Sequence, residues 1–262
     1  MRLVLVPTPI GNLEDITLRA LRVLNEAEAI ACEDTRRTGI LLSHYGITTP
    51  RIHFDQHMSQ QAPAVLSRYQ YLAYASDAGT PGISDPGAEL VWAALDLGAE
   101  VEVLPGPTAL IPALVASGFP TARFEFEGFL PPKRSQRLSR IRSMAQSSRT
   151  TLLYEAPHRL QETLAELAEI YGSNHPVCVA REISKLHEEY FRGSLAQAQE
   201  HFASPKGEIV LVVAPKNEST PDPAVLAAQL RAQGLYGREL MTALIAAGVA
   251  RNQAYALSHR EA

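Results

Sequence analysis

Three short segments combine acidic and basic side chains directly after strand-like runs. They are Glu33–Arg37, Tyr154–Arg159 and Ala180–Lys185. A carboxylate, an imidazole or an amine in these segments could accept or deliver a proton. The same charges could equally form salt bridges within the molecule, and Asp34 could simply cap a helix. The segments therefore indicate either a site of proton transfer or a set of structural ion pairs.

A basic segment is the second candidate for chemistry. Between residues 133 and 149 there are six basic side chains and no acidic one, in a chain of net charge -4. On a helix, Lys133, Arg137 and Arg140 would form one stripe that could contact a phosphate backbone. A solvated helix face is the alternative. The upstream residues Phe124, Phe126 and Phe129 could stack on an unpaired base, although core packing suits at least two of them.

Three loops rich in proline and glycine are expected to shape a pocket. Residues 7–12, 76–87 and 105–108 each follow a strand-like run. Glycine allows backbone to approach a ligand, and proline stiffens the path. Loops at the carboxyl ends of parallel strands form the ligand crevice of open α/β sheets. One such loop could be an ordinary surface turn, but three together favour a pocket walled by backbone.

The loops narrow the class of ligand. They lack the Gly-Lys-Ser/Thr of a phosphate-gripping loop, and Gly-x-Gly-x-x-Gly does not follow the first strand. A ligand held by carbonyls and a carboxylate fits better, and S-adenosylmethionine is one such ligand. Asp77 or Asp85 could bind its amino group, and the helix start after Thr108 could receive its carboxyl group.

The order of the elements predicts an α/β protein. Strand-like runs cover residues 3–6, 28–32, 71–75 and 101–104, and helix-like runs cover 17–27, 36–45, 60–69, 88–97 and 109–117. This alternation predicts a largely parallel sheet covered by helices. A second unit has strands at 150–154, 177–180, 188–191 and 208–213, a helix at 160–171 and a mixed sheet. A polar linker at 214–223 leads to a tail of two or three short helices, which either packs or contacts nucleic acid.

Composition excludes several classes of protein. The chain has 262 residues and a pI near 6.1, so any nucleic-acid site must be a local patch. Its two cysteines, Cys32 and Cys178, lie in apolar runs, and no spacing of ligands indicates a metal site. The apolar run before Pro7 is too short for a signal peptide or a membrane span, so we expect a cytoplasmic protein without a membrane partner.

Eight segments in a fixed order carry a family resemblance. They are 7–16, 33–36, 76–87, 104–107, 126–131, 155–159, 180–182 and 206–210. Together they resemble the tetrapyrrole methylase superfamily, and within it the enzymes that methylate small-subunit ribosomal RNA. The resemblance covers about residues 3–213, and the tail resembles the C-terminal helical domain of those enzymes. Eight ordered motifs are far more specific than any single motif.

The resemblance implies a fold, a cofactor and a partner. The fold is class III methyltransferase-like: two α/β/α domains, at 1–118 and 119–214, with S-adenosylmethionine in the cleft between them. A small helical domain follows at 224–262. A homodimer is implied, together with 16S rRNA in the small ribosomal subunit as substrate. Motif positions carry over a set of cofactor-site residues: Pro9, Asp77, Gly79, Thr80, Ile83, Pro107, Thr108, Tyr154, Ala180 and Gly207.

The implied reaction is methyl transfer to the ribose 2′-oxygen of a cytidine in the decoding region. A ribose hydroxyl is a weak acid, so a proton acceptor is needed, and five residues qualify: Glu33, Asp34, Glu155, His158 and Lys185. The expected RNA contacts are Arg36, Lys133, Arg134, Arg137, Arg140, Arg159 and Arg181. Two alternatives stay open: a methylase of a tetrapyrrole or other small molecule, and a non-catalytic RNA-binding protein of ribosome assembly.

Overall fold

A five-stranded parallel sheet forms the first half of the molecule. The structure is a computed structural model and describes residues 1–216, 223–247, 249 and 251–259. The sheet contains β1 (Arg2–Val6), β2 (Ala29–Cys32), β3 (Arg51–His53), β4 (Tyr71–Ala75) and β5 (Glu100–Val103), in the order β3-β2-β4-β1-β5. The central strands β1, β2 and β4 are almost wholly buried, as expected of a parallel sheet covered on both faces.

Helices cover both faces of this first sheet. They are α1 (Leu18–Glu26), α2 (Thr35–His44), α3 (Ala62–Leu66) and α4 (Gly87–Asp96), whereas α5 (Leu110–Ser117) follows β5 and packs on the second half of the molecule. Leu24 of α1 and Leu42 of α2 join the core on one face, whereas Leu66 of α3 and Leu90 of α4 join the core on the other. Residues on alternate sides of each strand feed these two cores, which fixes the position of the strand ends.

The second sheet is mixed, as the sequence predicts. It contains β6 (Phe124–Phe129), β7 (Thr150–Glu155), β8 (Pro176–Arg181), β9 (Glu189–Ser194) and β10 (Ile209–Val213), in the order β6-β7-β10-β8-β9. Only the β6–β7 pair is parallel. Three further helices belong to this half: α6 (Arg134–Met144), α7 (Leu160–Tyr171) and α8 (Leu195–His201). Together the two sheets and their helices confirm the predicted α/β fold class.

Helix α5 joins the two halves. Its residues Ala113 and Leu114 are buried in a cluster with Leu152, Ala180 and Val210 of the second sheet. α5 therefore covers a face of the second sheet that α7 and α8 do not cover. The division at residue 118 stays a prediction, because the helix just before it packs across the junction.

The C-terminal helices have a small core of their own. They are α9 (Pro223–Ala232), α10 (Gly237–Ala246) and α11 (Arg251–Ser258), and their buried residues include Leu240, Leu244 and Val249. Three short helices fit the prediction for the tail. Most of the predicted linker at 214–223, namely residues 217–222, lies outside the described residues.

Three elements went unpredicted, and one helix is shorter than predicted. The sequence analysis missed β3, β6 and α8. The helix predicted at 60–69 is a 3-10 turn, Gln56–Gln61, followed by the short α3. Asp55 caps the turn by accepting from the Met58 N–H, and Pro63 sits in the first turn of α3, where its missing N–H costs nothing. In the part of the chain that the structure describes, no helix has the length and apolar character needed to cross a bilayer.

Candidate active site

Three loops meet at the carboxyl edge of the first sheet. They follow β1, β4 and β5, which are neighbouring strands. Thr8 and Gly79 pair through two backbone hydrogen bonds of 3.0 and 2.9 Å, which join the first loop to the second. The Thr80 hydroxyl donates to the Pro107 carbonyl at 2.9 Å, which joins the second loop to the third. The loops therefore form one connected structure.

Close backbone approach explains two glycines in these walls. A Cβ on Gly106 would lie 2.7 Å from the Pro7 Cβ, so only glycine lets the third loop pass the first. A Cβ on Gly207 would collide with the Glu182 carboxyl group, and Gly207 also has a φ of +90°. At both positions a larger residue would push the loops apart, so the shape of the site depends on glycine.

Asp85 holds the long second loop in shape. Its carboxylate accepts from the N–H of Gly82 at 2.9 Å and from the N–H of Gly87 at 2.7 Å. The Tyr74 hydroxyl donates to it at 3.3 Å, and burial, reinforced by Asp85, raises the pKa of Tyr74, so this phenol stays protonated. Of the two aspartates considered for a ligand amino group, Asp85 is therefore occupied by its own loop.

Asp77 is placed differently from Asp85. It lines the cleft and accepts from the Asp34 N–H at 3.0 Å. The guanidinium of Arg37 lies 3.7 Å from its other oxygen. The side chain is partly exposed, and although Asp85 also lines the cleft, Asp77 is the one of the two that does not hold its own loop in shape.

The loops open into a cleft of about 440 Å³ that both halves of the molecule line. This volume falls within the range of small-molecule sites. Seven of the ten expected cofactor residues line the cleft: Asp77, Gly79, Thr80, Ile83, Thr108, Tyr154 and Gly207. Pro9, Pro107 and Ala180 do not line it: Pro107 contributes the carbonyl that Thr80 binds, and Ala180 is fully buried in the core beneath.

Glu33 is the cleft carboxylate best suited to accept a proton. The residue is exposed by surface area, but the surrounding protein displaces part of its water, and this desolvation together with the negative charges of Asp77, Asp85 and Asp55 raises its pKa. Among the described residues, no group donates a hydrogen bond to its side chain. A carboxylate with a raised pKa is a stronger base than an ordinary one, and such perturbed groups in clefts mark functional sites.

The other four candidate proton acceptors are placed less favourably. Asp34 caps α2 and binds Arg36 through both side chain and backbone, which lowers its pKa to about 2. Glu155 lines the cleft but is 2% exposed and accepts from Thr163 at 2.6 Å and from its neighbour's N–H at 2.8 Å. His158 is exposed and lies outside the cleft lining.

Lys185 is held in its charged form. Burial alone would lower its pKa, but hydrogen bonds to Glu182 at 2.8 Å and Glu208 at 2.9 Å outweigh burial and raise the pKa. An ammonium cannot accept a proton. Its structural contribution is to tie the loop after β8 to the start of β10.

Sequence reasoning did not place in the cleft three side chains that are large or charged. Glu208, Arg37 and Phe129 all line it. Arg37 and Glu208 adjoin residues that were singled out, so their motifs carried the signal. Phe129 was considered only for base stacking or the core. It is 54% exposed and its ring lies 5.5 Å from that of Tyr154, so it forms part of the outer wall.

The prediction of an exposed basic stripe is wrong at Arg137. This side chain is 2% exposed, and its guanidinium forms two bonds to Glu166, of 2.5 and 2.9 Å. Glu162 also pairs with it at 2.5 Å. α6 packs on α7, so the face that carries Arg137 points inward. The residue is unavailable to RNA.

Most other cations of the basic segment also have acidic partners. Arg134 pairs with Glu166 and Glu169, Arg140 with Glu127, and Arg149 with Glu125. Lys133 and Arg142 are exposed and have no ionic partner within the described residues. The segment is thus largely neutralised, and the sequence pattern overstated its positive charge.

The other three residues predicted to contact RNA differ in how exposed they are. Arg36 is 89% exposed and pairs only with Asp34 among the described residues. Arg159 binds the carbonyls of Leu130 and Pro131 at 2.9 and 3.3 Å. Arg181 binds Glu189 and is 22% exposed. Arg159 and Arg181 therefore stabilise loops, whereas Arg36 is highly exposed and is held by Asp34.

The parallel first sheet, mixed second sheet and cleft between them define a class III methyltransferase-like protein. The family model for Tetrapyrrole (Corrin/Porphyrin) Methylases matches residues 2–199, and the chain belongs to this family.

Relatives and solved structures agree with this assignment. The chain is 46% identical over 260 residues to a ribosomal RNA small subunit methyltransferase I of Synechocystis sp., covering 96% of this chain and 90% of the relative. It is 44% identical over 221 residues to the protein of that name from Thermotoga maritima, covering 82% and 99%. A uroporphyrin-III C-methyltransferase from Thermus thermophilus, complexed with S-adenosyl homocysteine, has a TM-score of 0.60 at 20% identity, covering 83% and 94%, which supports the fold alone.

Proposed function

We propose that this protein transfers a methyl group to the ribose 2′-oxygen of a cytidine in the decoding region of 16S rRNA. The observation that carries the proposal is Glu33, a carboxylate of raised pKa, beside a cofactor-sized cleft. The names of relatives at 44–46% identity support small-subunit rRNA as the substrate. The methyl donor is S-adenosylmethionine, the cofactor that family membership and the methyltransferase relatives indicate.

The residues of the cleft suit this cofactor. Asp77 supplies an acidic group for an amino group, and Ile10 and Ile83 supply apolar walls. The backbone of the three loops supplies carbonyls and N–H groups, since few side chains intervene. Tyr154 and Gly207 would close over the cofactor from the second half. The bound cofactor supplies an activated, positively charged methyl donor.

Glu33 has the main chemical role. It accepts the proton of the ribose 2′-hydroxyl, and S-adenosylmethionine, when bound, would supply the methyl group to that oxygen and leave as S-adenosylhomocysteine after its sulfur–methyl bond breaks. The donor is already activated, so the remaining task is to align the oxygen and exclude water. Phe129 and Tyr154 form an aromatic wall beside the cleft that limits water there. A 2′-oxygen that must reach this cleft requires unpaired RNA.

One observation favours a second candidate, methylation of a small molecule such as a tetrapyrrole. The basic segment is largely neutralised by Glu125, Glu127, Glu162, Glu166 and Glu169, which weakens the charge argument for a nucleic acid. The family as a whole is described by tetrapyrrole methylation. The high identity to rRNA methyltransferases weighs against this candidate.

We also propose that the protein is a cytoplasmic homodimer. Trp92 on α4, Val103 on the edge strand β5 and Val115 on α5 are 66, 53 and 65% exposed. Contiguous exposed apolar patches mark association surfaces, and Trp92 and Val103 lie on elements that contact each other. Sedimentation of the wild type and of Trp92→Glu tests this: the proposal expects a dimer that dissociates in the variant, and a monomeric wild type overturns it.

Methyl transfer to 30S subunits that lack the modification tests the function. Labelled S-adenosylmethionine is supplied, the RNA is digested, and the labelled nucleoside is identified. Label in 2′-O-methylcytidine is the expected result. Label in another nucleoside overturns the position of transfer, and label only in an added tetrapyrrole supports the second candidate.

A further inference from the structure

A second cavity lies directly beside the cleft, between α6 and β6. Its volume is about 600 Å³. α6 lines it with Ser135, Ser139 and Ser143, and also with Arg140, while β6 contributes Phe129. We name this cavity the α6 groove. Because Phe129 also lines the cleft, the two cavities share one aromatic side chain as their boundary.

The face of α6 in the groove is polar, and its edges are cationic. At about 100° per residue, the three serines fall within an arc of about 80°. Arg142 lies just beyond one side of this arc, and Lys133 is the N-cap residue at the N-terminal end of the helix. Both cations are exposed and have no ionic partner in the described parts of the chain. The opposite face of α6 carries Arg137 and packs against α7.

The chemistry of the groove suits single-stranded nucleic acid. Arg140 is matched by Glu127 at 2.5 Å, so the floor has no net charge and offers hydroxyl and amide groups. Such groups can bond sugar hydroxyls and base edges, whereas the cationic edges attract phosphates. The half-exposed ring of Phe129 offers a stacking surface for one base.

We propose that the α6 groove binds the ribonucleotides that flank the methylated one, with Phe129 stacking on a base at the mouth of the cleft. This inference rests on the proposed function and adds a binding site to it. In this proposal Lys133 and Arg142 attract phosphates, and the uncharged floor of the groove binds sugars and bases. The buried Arg137 holds α6 in place.

The test places a negative charge in the groove. Ser139→Glu and Ser143→Glu should each raise the KM for 30S subunits about tenfold, because a carboxylate there repels phosphate. kcat should change less, since neither residue reaches the cleft. Ser148→Glu is the matched control, with the same charge change on an exposed serine outside the groove. Thermal unfolding and S-adenosylmethionine binding are measured for all three.

The outcomes separate this proposal from the proposed function. A raised KM in Ser139→Glu and Ser143→Glu, with control values in Ser148→Glu, supports the groove. If the wild type methylates 30S subunits and all three variants share its KM, the groove proposal is overturned and the function stands. If the wild type methylates no RNA, the proposed function is overturned, and the groove proposal that rests on it is overturned as well. If one groove variant unfolds, the other decides the result.

Discussion

From the sequence, both the loops of the first sheet and the basic segment on α6 are predicted to contact ligands. In the structure the loops line a cleft, whereas most of the basic segment is paired with acidic side chains. The loops after β1, β4 and β5 meet and wall a cleft that holds seven of the ten expected cofactor residues. The basic segment loses most of its free charge to carboxylates of β6 and α7. Glycine and proline act through local backbone geometry, whereas the availability of a charge depends on what packs against it.

The largest expected effect concerns Glu33. We expect Glu33→Gln to lower kcat by about 10²- to 10⁴-fold, the usual contribution of a general base. Cofactor affinity should change little, because the amide keeps the shape of the side chain. Steady-state methyl transfer to 30S subunits measures both. Glu208→Gln, in the same cleft, is the control, and an equal loss there would remove the special role of Glu33.

The pH dependence of the wild-type enzyme also tests whether Glu33 is the proton acceptor. Glu33 must be deprotonated to act, and its pKa is raised by partial desolvation and by the negative charge of Asp77. We therefore expect kcat to rise with pH on the acid side, at a pH above that of an ordinary carboxylate. The rise should vanish in Glu33→Gln. A pH profile that keeps the same acid limb in the variant would assign the limb to another group.

A substitution at Arg137 tests whether the basic segment stabilises the fold through buried ion pairs. Arg137→Met should lower the free energy of unfolding by about 3–5 kcal/mol, because the buried carboxylate of Glu166 loses its two short bonds to Arg137 and keeps only the longer contact with the exposed Arg134. The exposed Arg142→Met should stay within about 0.5 kcal/mol. Urea denaturation compares the two. Equal stability of both variants would contradict the inward orientation of Arg137.

A substitution at Gly106 tests whether the close packing of the first and third loops shapes the cleft. Gly106→Ala puts a Cβ 2.7 Å from the Pro7 Cβ, and overpacking of this kind costs about 1–3 kcal/mol. Affinity for S-adenosylmethionine, measured by calorimetry, should fall with it because two walls of the cleft separate. Gly46→Ala also strains the backbone, at a φ of +67° in open space, yet should leave the affinity unchanged. Intact affinity in Gly106→Ala would show that the loops tolerate a shift.

The smallest effect belongs to Lys133. Lys133→Gln should make the slope of log Kobs against log salt concentration less steep by about 0.7–0.9. One phosphate contact contributes about 0.7 on single-stranded and about 0.9 on duplex nucleic acid. Stability should stay within about 0.5 kcal/mol. Filter binding over a range of salt concentrations measures the slope. An unchanged slope would place the phosphates away from the N-terminal end of α6.

Elements of the fold were predictable where local signals were strong. The parallel strands β1, β2 and β4 are apolar runs that end at proline or polar residues, and α1 has a clear helical period with a Thr17 cap. β3 was missed because three residues carry too little pattern. β6 was missed because its alternating phenylalanines suggested base stacking, and a glycine at φ +65° interrupts its pairing with β7.

The sequence by itself determined the fold class and the three pocket loops, because these follow from short-range spacing of apolar, glycine and proline residues, and its eight ordered motifs carried the family resemblance. It could not choose a proton acceptor among five candidates. Only the tertiary structure separated Glu33, whose pKa rises in a cleft shared with other carboxylates, from Glu155 and Lys185, whose partners come from distant segments. The same holds for Arg137: its charge is evident in the sequence, but burial and pairing depend on α7, 29 residues away at Glu166. Electrostatic properties depend on distances between remote residues, and those distances exist only in the folded chain.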